Sequence, residues 1–252
     1  MAHNLTGWKK ERRDLRDQVF KPGFMARFGM PREVDLSKSK LPRIEDQGSL
    51  GSCTCNAGTS AVEYVAIKLK KPVTELSRLF LYYAVRHWTE KVSGDVGAQN
   101  RDVVKTLAKF GVCHEATWPY KVEDFEKPPQ PKQITEAKQH VITQYWRCPS
   151  LYSIKVCLAQ GFPLLGGFTC PESLESEETS KTGIVKYPAP GEGYVGGHAV
   201  LFVGYSDTTK LLKFENSWGT AWGDKGFGYL PYKYVETWLA DDFWTIRFAT
   251  GV

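Results

Sequence analysis

The sequence predicts an α+β fold in two lobes, a helical first half and a strand-rich second half with a cleft between them. Helical spacing of apolar residues prevails up to about residue 110, and two-residue alternation prevails beyond residue 140. Between them lies Lys127-Pro128-Pro129-Gln130-Pro131, a join that resists both helix and sheet. Helices and strands segregated in this way argue against alternating βαβ units. With 252 residues, 42% of them hydrophobic and 13% aromatic, the chain can bury a sizeable core.

Residues 1–29 read as an appendage, interrupted at Lys21-Pro22-Gly23 and again at Gly29-Met30-Pro31. They hold seven basic and three acidic residues, so +4 of the formal +5 lies there and the remaining chain is nearly neutral. A basic stripe on the folded body is unsupported, and no nucleic-acid partner is expected. Lys9, Lys10, Glu11, Arg12 and Arg13 stand where a secretory signal needs an apolar stretch. The expectation is therefore a cytoplasmic protein, or one exported by an unconventional route. Apolar runs such as Ala199-Val200-Leu201-Phe202-Val203 are too short to cross a bilayer, so no membrane partner is expected.

The mainly helical lobe is assigned to residues 30–130, with residues 30–45 crossing to the other lobe. Its first helix starts at Cys53, carries Ala57, Ala61, Tyr64, Val65 and Leu69 at helical spacing, and ends before Pro72. Helices over residues 75–88 and roughly 100–110 follow, the second stopped by Gly111. The mainly β lobe is assigned to residues 131–252, with strands at 141–146, 199–205, 211–214 and 243–248 and a short helix near 153–159. The glycine-rich stretch from Gly223 to Gly228 reads as a turn between strands. No internal repeat is present.

Cysteine chemistry is the strongest functional signal. Cys53 stands at a predicted helix N-terminus, where free N–H groups and the helix dipole favour a thiolate. The preceding Gln47-Gly48-Ser49-Leu50-Gly51-Ser52 supplies a turn that lets backbone approach a substrate, and an amide that can donate to an oxyanion. His198 follows Gly196-Gly197, 145 residues after the cysteine, and Asn216 ends the next predicted strand. Antiparallel pairing of these strands brings His198 beside Asn216, whose oxygen can orient the imidazole.

These segments resemble the signatures of the papain family: Gln47 to Cys53, Gly197-His198-Ala199-Val200, Val203-Gly204-Tyr205 and Asn216-Ser217-Trp218-Gly219-Thr220-Ala221-Trp222-Gly223. Met30-Pro31-Arg32-Glu33-Val34-Asp35 is similar to the start of a mature enzyme of that family. The resemblance covers roughly residues 30–252. It implies a papain-like fold, with a helical left lobe, an antiparallel β-barrel-like right lobe and the active site in the cleft. It also implies a cysteine endopeptidase, a hydrolase that needs no cofactor or metal, acts on peptide or protein substrates and works as a monomer. Cys53 would be the nucleophile, His198 its base, Asn216 the orienting residue and Gln47 an oxyanion donor. Trp218 would shield the His198–Asn216 hydrogen bond. Gly97-Ala98 would be the ledge that pairs with an extended substrate. Gly167 and Gly196, with Gly197 beside them, would line a pocket roomy enough for a bulky apolar side chain.

Departures from the family pattern narrow the type. Leu50 stands where many members carry a cysteine and Asp95 near where its disulfide partner would be, so both halves of that bridge are missing together. Thr54 replaces the usual aromatic residue after the nucleophile. Leu-Gly-Ser-Cys-Thr resembles a microbial branch that includes xylellain-like enzymes more than the lysosomal cathepsins. In that branch a short N-terminal segment replaces a long propeptide, and Gly7-Trp8 with Arg13-Asp14-Leu15-Arg16-Asp17 resembles such a segment. Residues 1–29 are therefore expected to occlude the cleft, making the full-length chain a zymogen.

Other readings are weaker. Six cysteines, at 53, 55, 113, 148, 157 and 170, form no disulfide framework and are expected to be reduced. Cys53, Cys55, Cys113 and His114 lack the paired spacing of zinc ligands, and Cys55 and Cys113 read as small packing residues. A thiol acyltransferase or amidase would use the same triad and differ only in the acceptor that meets the thioester. A catalytically silent binding module would be expected to have lost the triad, which is intact here.

Overall fold

Strands that carry the second half of the chain need their backbone groups paired, and they find them in one antiparallel sheet. A computed structural model of the chain describes residues 4–23, 29–39, 41–71 and 74–251. The remaining leader positions, 1–3 and 24–28, and the helix stop expected at Pro72 lie outside the described residues. The strands are β1 (Glu33–Asp35), β2 (Ile142–Arg147), β3 (Leu164–Pro171), β4 (Tyr194–Ser206), β5 (Leu211–Glu215), β6 (Phe227–Pro231) and β7 (Ala240–Ala249). Their order is β2-β7-β3-β4-β5-β6, with β1 added to the far end of β4.

The α+β architecture expected from the sequence is present, but the sheet is not closed into a barrel. β2 and β6 end the path and do not pair with each other. Each edge is met by other backbone at one residue, which shields part of it from further pairing. Along β2, Arg147 N–H donates to Gln18 O and Phe20 N–H to Arg147 O, both at 2.8 Å. Beside β6, Val185 N–H donates to Tyr229 O at 2.9 Å and Tyr229 N–H to Gly183 O at 2.8 Å.

The helices are α1 (Cys53–Lys68), α2 (Arg78–Ala84), α3 (Asn100–Lys109), α4 (Pro131–Ala137), α5 (Leu151–Ala159), α6 (Glu177–Thr182) and α7 (Tyr232–Glu236). The sequence suggests a helix with one apolar face for α1, yet residues 53–66 are buried all round. α1 lies between an apolar cluster built from α1, α2 and α3 and the face of the sheet, where Leu165, Leu201 and Trp244 meet that cluster. Its buried polar groups are accounted for locally. Asn56 Nδ2 donates to Ser52 O at 3.0 Å, Thr59 Oγ1 to Cys55 O at 3.1 Å, and Glu63 accepts the Leu76 N–H at 2.7 Å. A second apolar cluster packs α5 and α7 against the sheet around Phe168, Phe202, Phe214 and Phe243.

Several elements differ from the sequence expectation for identifiable reasons. α2 starts at Arg78 and not at 75, because Ser77 N–H is taken by Cys113 O at 2.8 Å and the Ser77 hydroxyl caps Phe80 N at 3.1 Å. α4 begins inside the proline-rich join, with Pro131 at its first position, where a missing N–H costs nothing. β3 shows no alternation because nearly every residue in it is buried. β4 begins at Tyr194, so Gly196 and Gly197 are strand residues and His198 lies within the strand.

Candidate active site

Cys53 is the first residue of α1, and Ser52 precedes it as the N-cap. The loop before it is fixed at several points. Gln47 N–H donates to Ser217 O at 2.9 Å, and Tyr120 Oη donates to Gln47 O at 2.9 Å and lies 2.6 Å from Ser52 Oγ. The Gln47 amide is oriented at both ends: Oε1 accepts from Ser217 Oγ at 2.6 Å, and Nε2 donates to Leu50 O at 2.8 Å. The side-chain NH₂ is thereby held toward the Leu50 carbonyl, three residues before Cys53.

β4 and β5 pair antiparallel, with Leu201 opposite Glu215. That register brings His198 to Asn216, and His198 Nε2 lies 2.7 Å from Asn216 Oδ1. The Trp218 ring stacks on the imidazole at 4.5 Å between centroids and 25° between planes. The next residue of β4, Ala199, gives its N–H to Cys53 Sγ at 3.4 Å. Both His198 and Cys53 are fully buried. Burial pushes the Cys53 thiol up to about 12, against the opposing pull of the Ala199, Thr54 and Cys53 N–H groups.

That burial comes from the leader. Residues 4–11 run between the Gly97-Ala98 ledge and the Gly196-Gly197 segment of β4. Ala98 N–H donates to Gly7 O at 2.9 Å and Lys9 N–H to Ala98 O at 3.0 Å, a parallel pairing of Trp8 with Ala98. From the other wall Gly197 N–H donates to Leu5 O at 2.6 Å, and Trp8 N–H donates to Gly197 O at 3.1 Å. Gly7 passes directly over the thiol: a Cβ added there would lie 2.6 Å from Cys53 Sγ. Trp8 is buried with Cys53 and Ala199, and its indole covers Gly167 so closely that a Cβ on Gly167 would lie 2.0 Å from it. Gly97 and Gly196 have φ of +69° and +150°, conformations that L side chains rarely adopt.

Further along, the leader is held by charge. Arg101 makes a two-point contact with Asp17, Nε to Oδ1 at 2.9 Å and Nη2 to Oδ2 at 2.7 Å. Its Nη2 also donates to Arg12 O at 2.9 Å, and its backbone N–H donates to Glu11. Glu11 N–H donates to Asp242 Oδ2 at 2.8 Å. Burial, then the neighbouring Asp242, pushes the Glu11 carboxyl up to about 8.

A docked leader therefore holds a proton that a released one gives up. Its contribution to docking is full below the ordinary carboxylate value near 4.5 and is lost as pH rises through about 8. Over that window the opening constant is expected to rise by up to about tenfold per pH unit. Limited proteolysis of the leader should be slow at pH 5.5 and fast at pH 8.5, and Glu11→Gln should flatten the difference. A leader cut faster at the lower pH contradicts this.

Of the residues singled out from sequence, Cys53, His198, Asn216, Gln47 and Trp218 converge on one point. Gly97, Ala98, Gly167, Gly196 and Gly197 form the walls that the leader touches. Sequence reasoning missed Ser217 as the group that turns the Gln47 amide, Tyr120 as the brace under the loop, and Asp242 and Arg101 as leader anchors. Ser217 lies within the Asn216-Ser217-Trp218-Gly219 segment that marked the site, whereas Tyr120, Arg101 and Asp242 are joined to it only by the fold. Among the described residues no cluster of three metal-binding side chains is found, and His114 pairs instead with Glu136, at 2.6 Å.

Residues 30–238 match the family model described as papain family cysteine protease. An uncharacterized peptidase C1-like protein of Acanthamoeba polyphaga mimivirus is 40% identical over 216 residues, 81% of this chain and 70% of that protein. Chymopapain of Carica papaya is 26% identical over 78% of this chain and 54% of its own length. Among solved structures, xylellain, a cysteine protease from Xylella fastidiosa, superposes with a TM-score of 0.90 at 35% identity, covering 96% of each chain. Procathepsin B S9 of Trypanosoma congolense shares the fold, with a TM-score of 0.77 at 17% identity over 96% of this chain and 85% of its own.

Proposed function

We propose, starting from the fact that the chain belongs to the papain family of cysteine proteases, that it hydrolyses peptide bonds through Cys53, His198 and Asn216, and that its leader keeps the full-length chain closed. The observation that carries this reading is the 2.7 Å contact of His198 Nε2 with Asn216 Oδ1, made on the strand whose next residue donates to Cys53 Sγ.

In this mechanism Cys53 Sγ attacks the substrate carbonyl carbon, and the carbonyl oxygen becomes an oxyanion facing Gln47 Nε2 and the Cys53 N–H. Collapse breaks the C–N bond while His198 delivers a proton to the departing amine. Water, deprotonated by His198, then attacks the thioester, releasing the acid and restoring the thiolate. Asn216 keeps the ring in plane, and Trp218 keeps water from that hydrogen bond.

The docked leader supports both parts of the proposal. It lies extended between Ala98 and Gly197, as a substrate would, but its Gly7 and Leu5 carbonyls are spent on the Ala98 and Gly197 N–H groups. Both carbonyls are thereby held to the walls of the cleft, which favours a leader that covers the thiol without being cut. Trp8 against Gly167 indicates a substrate with a bulky apolar side chain at that position.

A peptidyl epoxide directed at cysteine peptidases tests the assignment. The adduct is expected on Cys53 after leader removal, with peptide cleavage abolished in Cys53→Ala. Labelling of Cys55 alone, with cleavage surviving in Cys53→Ala and Cys53→Ser, would overturn it.

A further inference from the structure

The cysteine loop and the substrate ledge belong to different segments of the helical half, and no disulfide joins them: every cysteine is free. A carboxylate joins them. Asp95 Oδ1 accepts the Gly51 N–H at 2.9 Å and the Tyr82 hydroxyl at 2.5 Å. Tyr82 Oη in turn accepts the Gly97 N–H at 3.1 Å. An unbroken path therefore runs from Gly51, two residues before the nucleophile, to the ledge. Tyr82 is fully buried, and burial beside Asp95 keeps its phenol protonated, so it can only donate to the carboxylate. The loop bearing Asp95 is itself tied down by Arg86 Nη1, which donates to Gly94 O at 2.7 Å.

The other carboxylate oxygen, which the Gly51 N–H also reaches at 3.1 Å, faces the leader. Asp95 Oδ2 accepts from Asn4 Nδ2 at 2.9 Å. Asn4 cannot reverse its amide without loss, because its Oδ1 accepts both the Thr6 N–H at 2.9 Å and the Thr6 hydroxyl at 2.7 Å. One side chain thus meets all three parts of the closed state: nucleophile loop, ledge and leader.

We infer that Asp95 is a positioning residue for the hydrolysis proposed above, a hydrogen-bonded clamp between the nucleophile loop and the ledge, and that its second oxygen latches the leader over the thiol. The inference rests on the peptidase reading for the clamp, whereas the latch can be read without any catalysis.

Two rates measured on the full-length chain separate these roles. Alkylation of Cys53 by iodoacetamide scales with the open fraction but needs no oxyanion site. Hydrolysis of a peptide with a bulky aromatic residue needs both, so the ratio of hydrolysis to alkylation reports how well the site is assembled. Asn4→Ala should raise both rates about tenfold or more and leave the ratio unchanged. Asp95→Asn keeps one oxygen for Gly51 and Tyr82 but sets an NH₂ against Asn4, and should behave like Asn4→Ala. Asp95→Ala should raise alkylation similarly while the ratio falls at least tenfold, with kcat and not KM carrying the loss.

An unchanged ratio in Asp95→Ala overturns the clamp, and unchanged alkylation in both Asn4→Ala and Asp95→Asn overturns the latch. Labelling of Cys55 in Asp95→Ala would mark a folding defect, and Tyr82→Phe, which breaks the same path at the phenol hydroxyl, then decides the clamp by the same ratio. If Cys53 is alkylated but no variant cleaves peptide, it is the peptidase reading that fails, and the latch is still judged by alkylation.

Discussion

Gly7→Val is expected to turn the full-length chain into an open enzyme. The added branches must occupy space where a Cβ alone would lie 2.6 Å from Cys53 Sγ and 2.8 Å from Gly51 O, the second of these being backbone that cannot step aside. Overpacking of this kind costs about 1–3 kcal/mol, which multiplies the open fraction by roughly 5 to 150. Residue 7 belongs to the leader, so the site itself is unaltered. Both the rate of Cys53 alkylation and the rate of peptide hydrolysis should rise together by that factor. Unchanged rates would mean that Gly7 does not control access to the thiol.

His198→Ala should have the largest effect of any single change apart from loss of the thiol itself. It removes the group that protonates the leaving amine and activates water, and residues of such a constellation act as a unit, so kcat should fall by about 10⁴ or more. The substitution also removes the ring on which Trp218 stacks and the partner of Asn216 Oδ1 at 2.7 Å. Asn216→Ala should cost less, because Trp218 and the strand still confine the imidazole. Hydrolysis within tenfold of the parent in His198→Ala would exclude the proposed base. The comparison is best made after leader removal, where access is equal in both proteins.

The four residues of the proposed reaction centre are legible because their local motifs stand out in the sequence. Gln47 and Cys53 share one glycine-rich loop, and His198 and Asn216 sit on consecutive strands. Adjacent strands usually pair, so their meeting needed only one assumption about topology. β3 was not legible: Leu164-Leu165-Gly166-Gly167-Phe168 is buried on both faces and carries two glycines, so neither alternation nor propensity marks it as strand. α4 was masked by the prolines before it, although a proline at the first helical position is favourable. Gly7-Trp8 with Arg13-Asp14-Leu15-Arg16-Asp17 resembles an occluding segment, yet the sequence cannot say that the glycine meets the thiol and the indole the Gly167 wall. In the sequence Asp95 stands out only as a missing cysteine. Its role as acceptor for Gly51, Tyr82 and Asn4 depends on side chains that lie as far apart in the chain as residues 4 and 95. Nothing local announces such a contact.

The most direct test of the account is the pH dependence of Cys53 alkylation, mapped by peptide mass analysis, in the full-length chain and after removal of residues 1–29. With the leader docked, burial holds the thiol near 12, against an ordinary value of 9.0. That corresponds to a thiolate fraction lower by about 10³, so Cys53 should be nearly silent between pH 6 and 9. Without the leader, the helix N-terminus and His198 should bring its apparent pKa well below that ordinary value, and labelling should be fast already at pH 6. Equal labelling of the two forms, or a leader-free Cys53 that titrates at or above a free thiol, would contradict both the sealed cleft and the activated nucleophile.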